Sequence, residues 1–413
     1  MAGLLALSAS AQTRFADIMS QAYATPERVY QYYVAHQADS IYAMGLEKYA
    51  SMLPKEQFAE QLRGLDSRLG KPVEASLWEQ MEQMGYKVYS RTVTYPNYTA
   101  RLVLVFDESG SLAGFRIVDE KSRLAEGERD LTITTADTIK LPARLTLPPV
   151  SVAQGSLPVV VLVHGSGPSN MDEALGANAP FRDLAEGLAR RGVAVIRYDK
   201  RTKVYPELFD EETHAYTYDD ETVDDAVSAV RLVQSLGDMG NGQTLDASRV
   251  YVVGHSLGAM LAPRIAEKSG TVKGLVLLAP PAAKIRPTLE RQLAYLGLSE
   301  AQLKENVDMA LSMLPKAYID FDETYSATQT AQDLSLPMLI LQGERDYQVT
   351  MDDFAAWRKA VGKRANATMK SYPKLNHLFI TGEGKSFPKE YQQPGHVAEE
   401  VMDDIAHFVL NAK

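Results

Sequence analysis

A serine between two glycines is the first residue of this sequence whose setting could serve covalent chemistry. Ser256 stands in "YVVGHSLGAM", where a β-branched apolar run leads into the pattern Gly-x-Ser-x-Gly. In this pattern a sharp turn from a strand to a helix lifts the serine hydroxyl above a sheet. Small residues also occupy ordinary turns, so the motif alone leaves a catalytic serine and a simple turn residue both open.

A nucleophilic serine needs a base to take its proton and an acid to orient that base. The sequence offers Asp346, which closes "PMLILQGERD", and His377, which lies in "SYPKLNHLF". Each follows a stretch that we expect to be a strand, and Ser, Asp, His is one of the known chain orders of such triads. We therefore predict Asp346 as the acid and His377 as the base of Ser256.

Other acidic residues and histidines compete for these two roles. Asp346 directly follows its strand and turn, whereas Glu344, Asp352 and Asp353 are typical of a solvated rim or of a helix start. Among the histidines, His377 combines the right chain order with a position after a strand. The remaining candidates lie in helical or polar loop sequence: His36, His214, His396 and His407.

A glycine-rich loop could stabilise the oxyanion that forms when a serine attacks a carbonyl. The loop "HGSGPSNMD" follows the strand "VVVLV", and its glycines let the backbone approach a ligand closely. We predict that the N–H groups of Ser166 and Leu257 form the oxyanion hole. A flexible loop is the alternative, and we interpret His164 and His255 as loop-shaping residues.

A charged run, "RYDKRTKVY", follows another predicted strand. Its side chains could bind an anionic substrate, but an ion-pair network that braces the end of the strand is favoured. The residues concerned are Arg197, Asp199, Lys200 and Arg201.

Apolar runs around these motifs predict the elements that position them. Continuous Val, Leu and Ile runs recur between helical stretches in "LPVVVLVHG", "GVAVIRYD", "RVYVVGHS", "VKGLVLLAPP" and "PMLILQGERD". Strands covered by helices on both faces need such runs, so we predict a doubly wound, mostly parallel sheet with its ligand at the strand ends. "LTITTADTIKLPARLTLP" predicts an opening hairpin, and residues 282–336 predict a helical insert that caps the site.

The front of the chain has a different pattern. Residues 1–12 have an apolar stretch before Ala9-Ser10-Ala11, which is typical of the end of a secretory signal, although no basic residue precedes it. We predict export to the periplasm or the medium; an ordinary helix start would predict a cytoplasmic protein. Residues 13–119 predict a small α+β domain, with short helices to about residue 85 and strands after them. A charged linker is predicted at 120–130, before the sheet domain at 131–413.

Composition excludes several classes of function. The 413 residues hold 43 Lys and Arg against 53 Asp and Glu, a net charge of −10, and no basic run suits nucleic acid. The absence of cysteine excludes disulfides, zinc–thiolate sites and thiol nucleophiles. Beyond the N-terminal stretch no apolar segment approaches the roughly 18 residues of a membrane span. We predict no metal or organic cofactor, and the oligomeric state stays open.

Through "HGSGPSNMD", "GHSLG", "GERD" and "LNH", residues 131–413 resemble the α/β-hydrolase superfamily. The whole chain resembles bacterial two-domain serine carboxylesterases that carry a small α+β domain of uncertain role ahead of the hydrolase. This resemblance implies cleavage of a small-molecule carboxylic ester through an acyl-serine. The implied site residues are Ser256, Asp346, His377, Ser166 and Leu257. A serine peptidase, and an acyltransferase or thioesterase with the same triad, remain open alternatives. A hydrolase fold that only binds is disfavoured because no position of the triad is missing.

Overall fold

The computed structural model describes residues 24–209 and 216–411, which fall into two compact units. The first comprises the described residues up to Arg123 together with Tyr391–Pro394, and the second comprises Leu124–Glu390 with the described residues from Gly395 onward. The signal predicted at residues 1–12 lies outside the described residues, as does His214.

The first unit consists of short helices followed by an antiparallel sheet. The helices are α1 (Pro26–Val34), α2 (Ala38–Tyr42) and α3 (Lys55–Leu69), with a 3-10 turn at Leu46–Tyr49. The strands are β1 (Glu74–Ala75), β2 (Glu79–Gln83), β3 (Tyr86–Thr94), β4 (Tyr98–Phe106) and β5 (Leu112–Ser122). Their order is β1-β3-β4-β5, and β2 also pairs with β3. Alternate residues of β4 are buried, so one face of the sheet covers an apolar core.

The prediction of helices as far as residue 85 is wrong for 74–83, which form β1 and β2. "WEQMEQ" is rich in helix formers, but a hairpin overrides this propensity. Met84 and Gly85 link β2 to β3 with φ of 50° and 80°, the positive values that a tight two-residue hairpin turn requires. The predicted linker 120–130 is also too long, because β5 extends to Ser122 and the next strand begins at Glu128. Only residues 123–127 separate these two strands.

The second unit is built on an eight-stranded sheet, which confirms the predicted doubly wound, mostly parallel architecture. Its strands are β6 (Glu128–Thr134), β7 (Lys140–Thr146), β8 (Gly155–Val163), β9 (Ala194–Tyr198), β10 (Gln243–His255), β11 (Gly274–Leu278), β12 (Met338–Gly343) and β13 (Ala367–Tyr372). The order is β6-β7-β9-β8-β10-β11-β12-β13. The opening hairpin β6–β7 and the pair β7–β9 are antiparallel, and the other pairs are parallel.

Helices cover both faces of this sheet, which explains the continuous apolar runs. The helices outside the insert are α4 (Pro180–Ala189), α5 (Arg201–Val204), α6 (Asp224–Leu236), α7 (Leu257–Ser269), α12 (Met351–Val361) and α13 (Glu399–Asn411). Successive residues of β8 point to opposite cores: Val159 and Val161 pack on the side of α6, α7 and α12, and Val160 and Leu162 on the side of α4 and α13.

The insert between β11 and β12 is helical, as predicted for 282–336. Its helices are α8 (Ile285–Tyr295), α9 (Glu300–Ser312), α10 (Lys316–Thr324) and α11 (Ala327–Asp333). Separately, the described residues include no helix with the length and apolar character needed to cross a bilayer.

Candidate active site

Ser256 forms the turn between β10 and α7. The strand ends at His255 and the helix begins at Leu257, so Ser256 alone makes the change of direction, with φ of 53° and ψ of −116°. A positive φ is strained for a residue with a side chain. Two hydrogen bonds hold it: Ser256 N–H donates to the carbonyl of Leu278 at 2.9 Å, and the carbonyl of Ser256 accepts from Met260 N–H at 3.0 Å.

The two glycines of the motif allow the helix to approach the strands closely. A Cβ at Gly254 would lie 2.3 Å from the carbonyl oxygen of Gly258, and a Cβ at Gly258 would lie 2.2 Å from that of Val163. Both separations are far below van der Waals contact. The glycines of Gly-x-Ser-x-Gly are therefore required by packing beside the serine.

Asp346 and His377 meet at the carboxyl end of the sheet, each in the loop after its strand. Nδ1 of His377 lies 2.6 Å from Oδ2 of Asp346, and both side chains are buried. Oδ1 of Asp346 accepts from the N–H groups of Gln348 at 2.8 Å and Val349 at 3.0 Å. The side-chain amide of Gln342 donates to Oδ2 at 3.2 Å. The carboxylate is thus fixed by three donors and holds the imidazole through Nδ1.

The competing acids have other roles. Glu344 is exposed and accepts a hydrogen bond from Ser371 at 2.8 Å. Asp352 is exposed at the start of α12, as predicted, but Asp353 is only 1% exposed and does not belong to a solvated rim. Its Oδ1 accepts from the N–H groups of Ala282 and Ala283 at 3.0 and 3.1 Å. Arg291 of α8 pairs with its Oδ2 at 2.7 Å.

The glycine-rich loop lies against the serine and is held by buried charges. A Cβ at Gly165 would lie 3.3 Å from the Cβ of Ser256. Gly165 N–H donates to Oε1 of Glu173 at 2.7 Å, and the Gly165 carbonyl accepts from Nζ of Lys200 at 3.0 Å. The N–H groups of Ser166 and Leu257 have no acceptor within the described part of the chain. These two donors, one on the loop and one at the start of α7, are available to a bound group.

Glu173 was not predicted from the sequence, although it directly follows the segment "HGSGPSNMD". Its Oε2 lies 3.0 Å from Nδ1 of His255, without hydrogen-bond alignment. Nε2 of His255 in turn donates to the backbone carbonyl of His377 at 2.9 Å. Burial raises the pKa of Glu173, but its interactions with His255, His164 and the Gly165 N–H together outweigh burial and lower the pKa overall. Burial lowers the pKa of His255, but its interactions with Glu173, the His377 carbonyl and Asp346 together outweigh burial and raise the pKa overall.

His164 shapes the glycine-rich loop, as the sequence suggested. Its Nε2 lies 3.0 Å from the carbonyl oxygen of Asn170, and its ring packs on Phe181 and Tyr198. Burial lowers the pKa of His164 to about 4, so the ring is neutral at physiological pH. The other described histidines, His36, His396 and His407, pair with Asp66, Asp183 and Asn411.

The charged run after β9 forms the ion-pair network that the sequence favoured. Buried Arg197 pairs with Asp172 at 2.9 Å and Glu128 at 2.8 Å. Buried Arg201 pairs with Asp225 at 2.5 Å. Asp199 accepts from the N–H of Met171, and Lys200 pairs with Glu221 at 2.5 Å. The network ties the end of β9 to the glycine-rich loop and to the segment before α6.

One cavity of about 770 Å³ brings the predicted site residues together. Ser166, Ser256, Leu257 and His377 all line it, while Asp346 lies behind His377. The insert supplies apolar side chains to the wall, namely Ile285, Leu289, Met313 and Leu314. Tyr318 of α10 also lines the cavity and stacks on Tyr218 with ring centroids 4.4 Å apart. Such a mostly apolar cavity with a few polar groups suits a small organic molecule.

In the arrangement as a whole, one cavity is lined by Ser256, by the oriented imidazole of His377 and by Ser166 and Leu257, whose N–H groups have no acceptor among the described residues. This set can support nucleophilic attack on a carbonyl. No cluster of three or more His, Asp or Glu arranged to hold a metal ion occurs within residues 24–209 and 216–411.

Comparison with known proteins gives matches of three kinds: a family model, a relative in sequence and solved structures. The family model described as the alpha/beta hydrolase family matches residues 160–409. Esterase EstD of Thermotoga maritima is 34% identical over 408 residues, which covers 92% of this chain and 93% of that protein. Among solved structures, the Pyrococcus furiosus esterase Pf2001 is 18% identical with a TM-score of 0.45, covering 69% of this chain and 91% of its own. A puromycin-hydrolysing peptidase of Mycobacterium tuberculosis is 16% identical with a TM-score of 0.48, covering 82% of this chain and 49% of its own.

Proposed function

Because the chain belongs to the alpha/beta hydrolase family, we propose that it is a carboxylesterase that cleaves small-molecule esters through an acyl-serine at Ser256. An ester is supported as the substrate by the 34% identity, along 92% of this chain, to a protein named as an esterase. The fold alone would not identify an ester as the substrate, because the same fold is used for many reactions.

In the proposed reaction, His377 takes the proton of Ser256 through Nε2 while Oγ attacks the ester carbonyl. A tetrahedral intermediate forms, and its collapse breaks the bond to the alkoxy group. The alkoxy group leaves as the alcohol with the proton from His377. Water, deprotonated by the same imidazole, then cleaves the acyl-serine and releases the acid. The 2.6 Å separation of Asp346 and His377 supports these roles, since the carboxylate stabilises the imidazolium that forms at each step.

The N–H groups of Ser166 and Leu257 are the proposed oxyanion donors. Gly165, the neighbour of Ser166, is excluded from this role because its N–H is already bonded to Glu173. Loss of one donor of this kind costs about 10²–10³ in kcat. The apolar wall contributed by the insert suits the acyl or alkyl part of the ester.

The proposal is tested with p-nitrophenyl esters from acetate to palmitate and with a fluorophosphonate probe. Turnover and labelling should both disappear in Ser256→Ala. Ser169→Ala is the matched control, because Ser169 also lines the cavity and is given no role in the reaction. Labelling that persists in Ser256→Ala would place the nucleophile elsewhere and overturn the assignment.

The same preparation separates the esterase from its alternatives. An esterase should cleave the oxygen esters faster than the matched anilides and thioesters. Preferred cleavage of p-nitroanilides would indicate a peptidase. Faster turnover of acyl thioesters, or capture of the acyl group by an added amine, would indicate a thioesterase or an acyltransferase.

Export, predicted from residues 1–12, stays a prediction. Its test is expression of the chain in a Gram-negative host, followed by fractionation and N-terminal sequencing of the protein. Recovery from the periplasm with an N-terminus just after Ala11 would support export. Recovery from the cytoplasm with residues 1–12 intact would contradict it.

A further inference from the structure

Lys200 is a buried lysine whose ammonium bonds to the backbone beside the serine. It is 1% exposed, and its Nζ donates to the carbonyl oxygen of Gly165 at 3.0 Å. That oxygen belongs to the same peptide unit as the N–H of Ser166, the proposed oxyanion donor. In a trans peptide the C=O and N–H point in opposite directions, so a bond that fixes the oxygen also fixes the direction of the N–H.

The charge of Lys200 is balanced by a chain of buried groups that reaches the insert. Nζ lies 2.5 Å from Oε1 of Glu221, which is 4% exposed in the π-helical turn Asp219–Val223. The hydroxyl of Tyr318, on helix α10, donates to the other oxygen of Glu221. We call Lys200, Glu221 and Tyr318 the lysine chain. Through it, one helix of the insert is connected to the glycine-rich loop.

Burying the charges of Lys200 and Glu221 costs free energy, because both must be removed from water. Apolar residues of similar volume are often as stabilising as a buried ion pair, or more so. Packing alone therefore does not explain why a charged lysine is buried at this position. An ammonium on a peptide oxygen polarises the peptide and increases the positive charge on its N–H, an effect strengthened by a low-dielectric interior. The N–H that gains here is that of Ser166.

We propose that Lys200 is a positioning residue of the oxyanion hole, which orients and polarises the Gly165–Ser166 peptide so that Ser166 N–H stabilises the tetrahedral oxyanion. Glu173 fixes the other side of Gly165 through its N–H, so the glycine is held between an anion and a cation. Lys200 touches neither the substrate nor Ser256 in this role. The proposal rests on the esterase function proposed above.

The test compares Lys200→Met with Lys203→Met, a neighbour that is exposed on α5. In Lys200→Met, kcat for a p-nitrophenyl ester should fall about 10- to 100-fold, less than the loss of a whole donor, while KM changes little. Lys203→Met should match the wild type. Lys200→Arg keeps a charged donor and should recover part of the loss.

The inhibition constant Ki of a trifluoromethyl ketone distinguishes a role of Lys200 in the oxyanion hole from a merely structural role. Ser256 adds to the ketone carbonyl and forms a tetrahedral oxyanion with no leaving group, so its affinity reports on the oxyanion hole. In Lys200→Met its Ki should rise by the factor by which kcat/KM falls. An unchanged Ki, an unchanged kcat, or a rise in KM alone would overturn the proposal.

A double variant keeps the test decisive if Lys200→Met leaves Glu221 unpaired and does not fold. Lys200→Met combined with Glu221→Gln removes both charges together, and the same changes in kcat and Ki are expected. The rate of fluorophosphonate labelling separates this proposal from the esterase function, because the phosphonyl oxygen also occupies the oxyanion hole. Slower labelling of the variant, in a protein that turns over no ester, would support Lys200 while the esterase function failed. If the variant were labelled at the wild-type rate while the wild-type enzyme cleaved esters, the proposed role of Lys200 would fail and the esterase function would stand.

Discussion

Nε2 of His255 donates a hydrogen bond to the backbone carbonyl of His377 over 2.9 Å. The residue before the proposed nucleophile is therefore bonded to the residue proposed as its base, although 122 positions separate them in the chain. On its other side, Nδ1 of His255 faces the buried carboxylate of Glu173, which holds the glycine-rich loop. His255 thus joins three segments of the site, with Nε2 bonded to His377 and Nδ1 facing Glu173.

The pair of His255 and Glu173 predicts a pH window of stability. The pKa of His255 is raised above 6.5, so its contribution is complete below pH 6.5 and is lost as the pH rises through its folded pKa. The pKa of Glu173 is lowered below 4.5, so its contribution is complete above pH 4.5 and is lost as the pH falls. The difference in Tm between the wild type and His255→Gln should be largest between these values and should shrink above pH 6.5.

Differential scanning calorimetry across this pH range checks the window. Glutamine can keep the bond to the His377 carbonyl through its amide, so the variant removes chiefly the charge. His407→Gln is the control, because His407 is exposed on α13. A Tm difference for His255→Gln that is the same at every pH would contradict the prediction.

Asp346→Asn should lower kcat about 10⁴-fold with little change in KM. An amide can donate to Nδ1 of His377, which would leave the proton on Nε2, the nitrogen that must accept one from Ser256. Steady-state kinetics with a p-nitrophenyl ester measures this. Glu344→Gln is the matched control, since Glu344 is a nearby exposed acid whose carboxylate accepts from Ser371. Equal losses in the two variants would contradict the assignment of the acid.

The architecture was predictable because it depends on local sequence patterns, namely the apolar runs of the strands. Strands buried on both faces need continuous apolar runs, and "VVVLV" and "MLIL" are such runs. The loop after each strand then had to lie at one edge of the sheet, which brought the segments of Ser256, Asp346 and His377 together. The order of these three residues in the chain, and the two glycines beside Ser256, then predicted that they form a triad.

The supporting charges could not be predicted because their partners are distant in sequence. Glu221 and Tyr318 are 97 positions apart, and Lys200 and Gly165 are 35 apart. No periodicity connects such residues, and a lone Glu or Lys in a polar stretch is usually solvated. The first strand of the hairpin, at 79–83, was missed for the opposite reason, since its local propensity favoured a helix that the turn at Met84 and Gly85 prevents.

Gly258→Ala should destabilise the fold by about 3 kcal/mol, although alanine is the better helix former. The added Cβ would lie 2.2 Å from the Val163 carbonyl, and two backbone segments cannot separate without moving α7. Chemical denaturation measures the loss. Glu267→Ala, on the exposed side of the same helix, should change stability by less than about 0.5 kcal/mol. A Gly258→Ala variant as stable as the wild type would show that the helix can shift freely.

Asp353→Ala should cost about 3 kcal/mol of stability, whereas its neighbour Asp352→Ala should cost less than about 1 kcal/mol. The two residues share the first turn of α12, but Asp353 alone is buried. Its carboxylate accepts from the N–H groups of Ala282 and Ala283 at the start of the insert, and it pairs with Arg291 of α8. Removing it leaves these donors unpaired and frees the beginning of the insert, so proteolysis there should also accelerate. Urea titration and limited proteolysis check both effects, and equal stability of the two variants would show that the insert is held elsewhere.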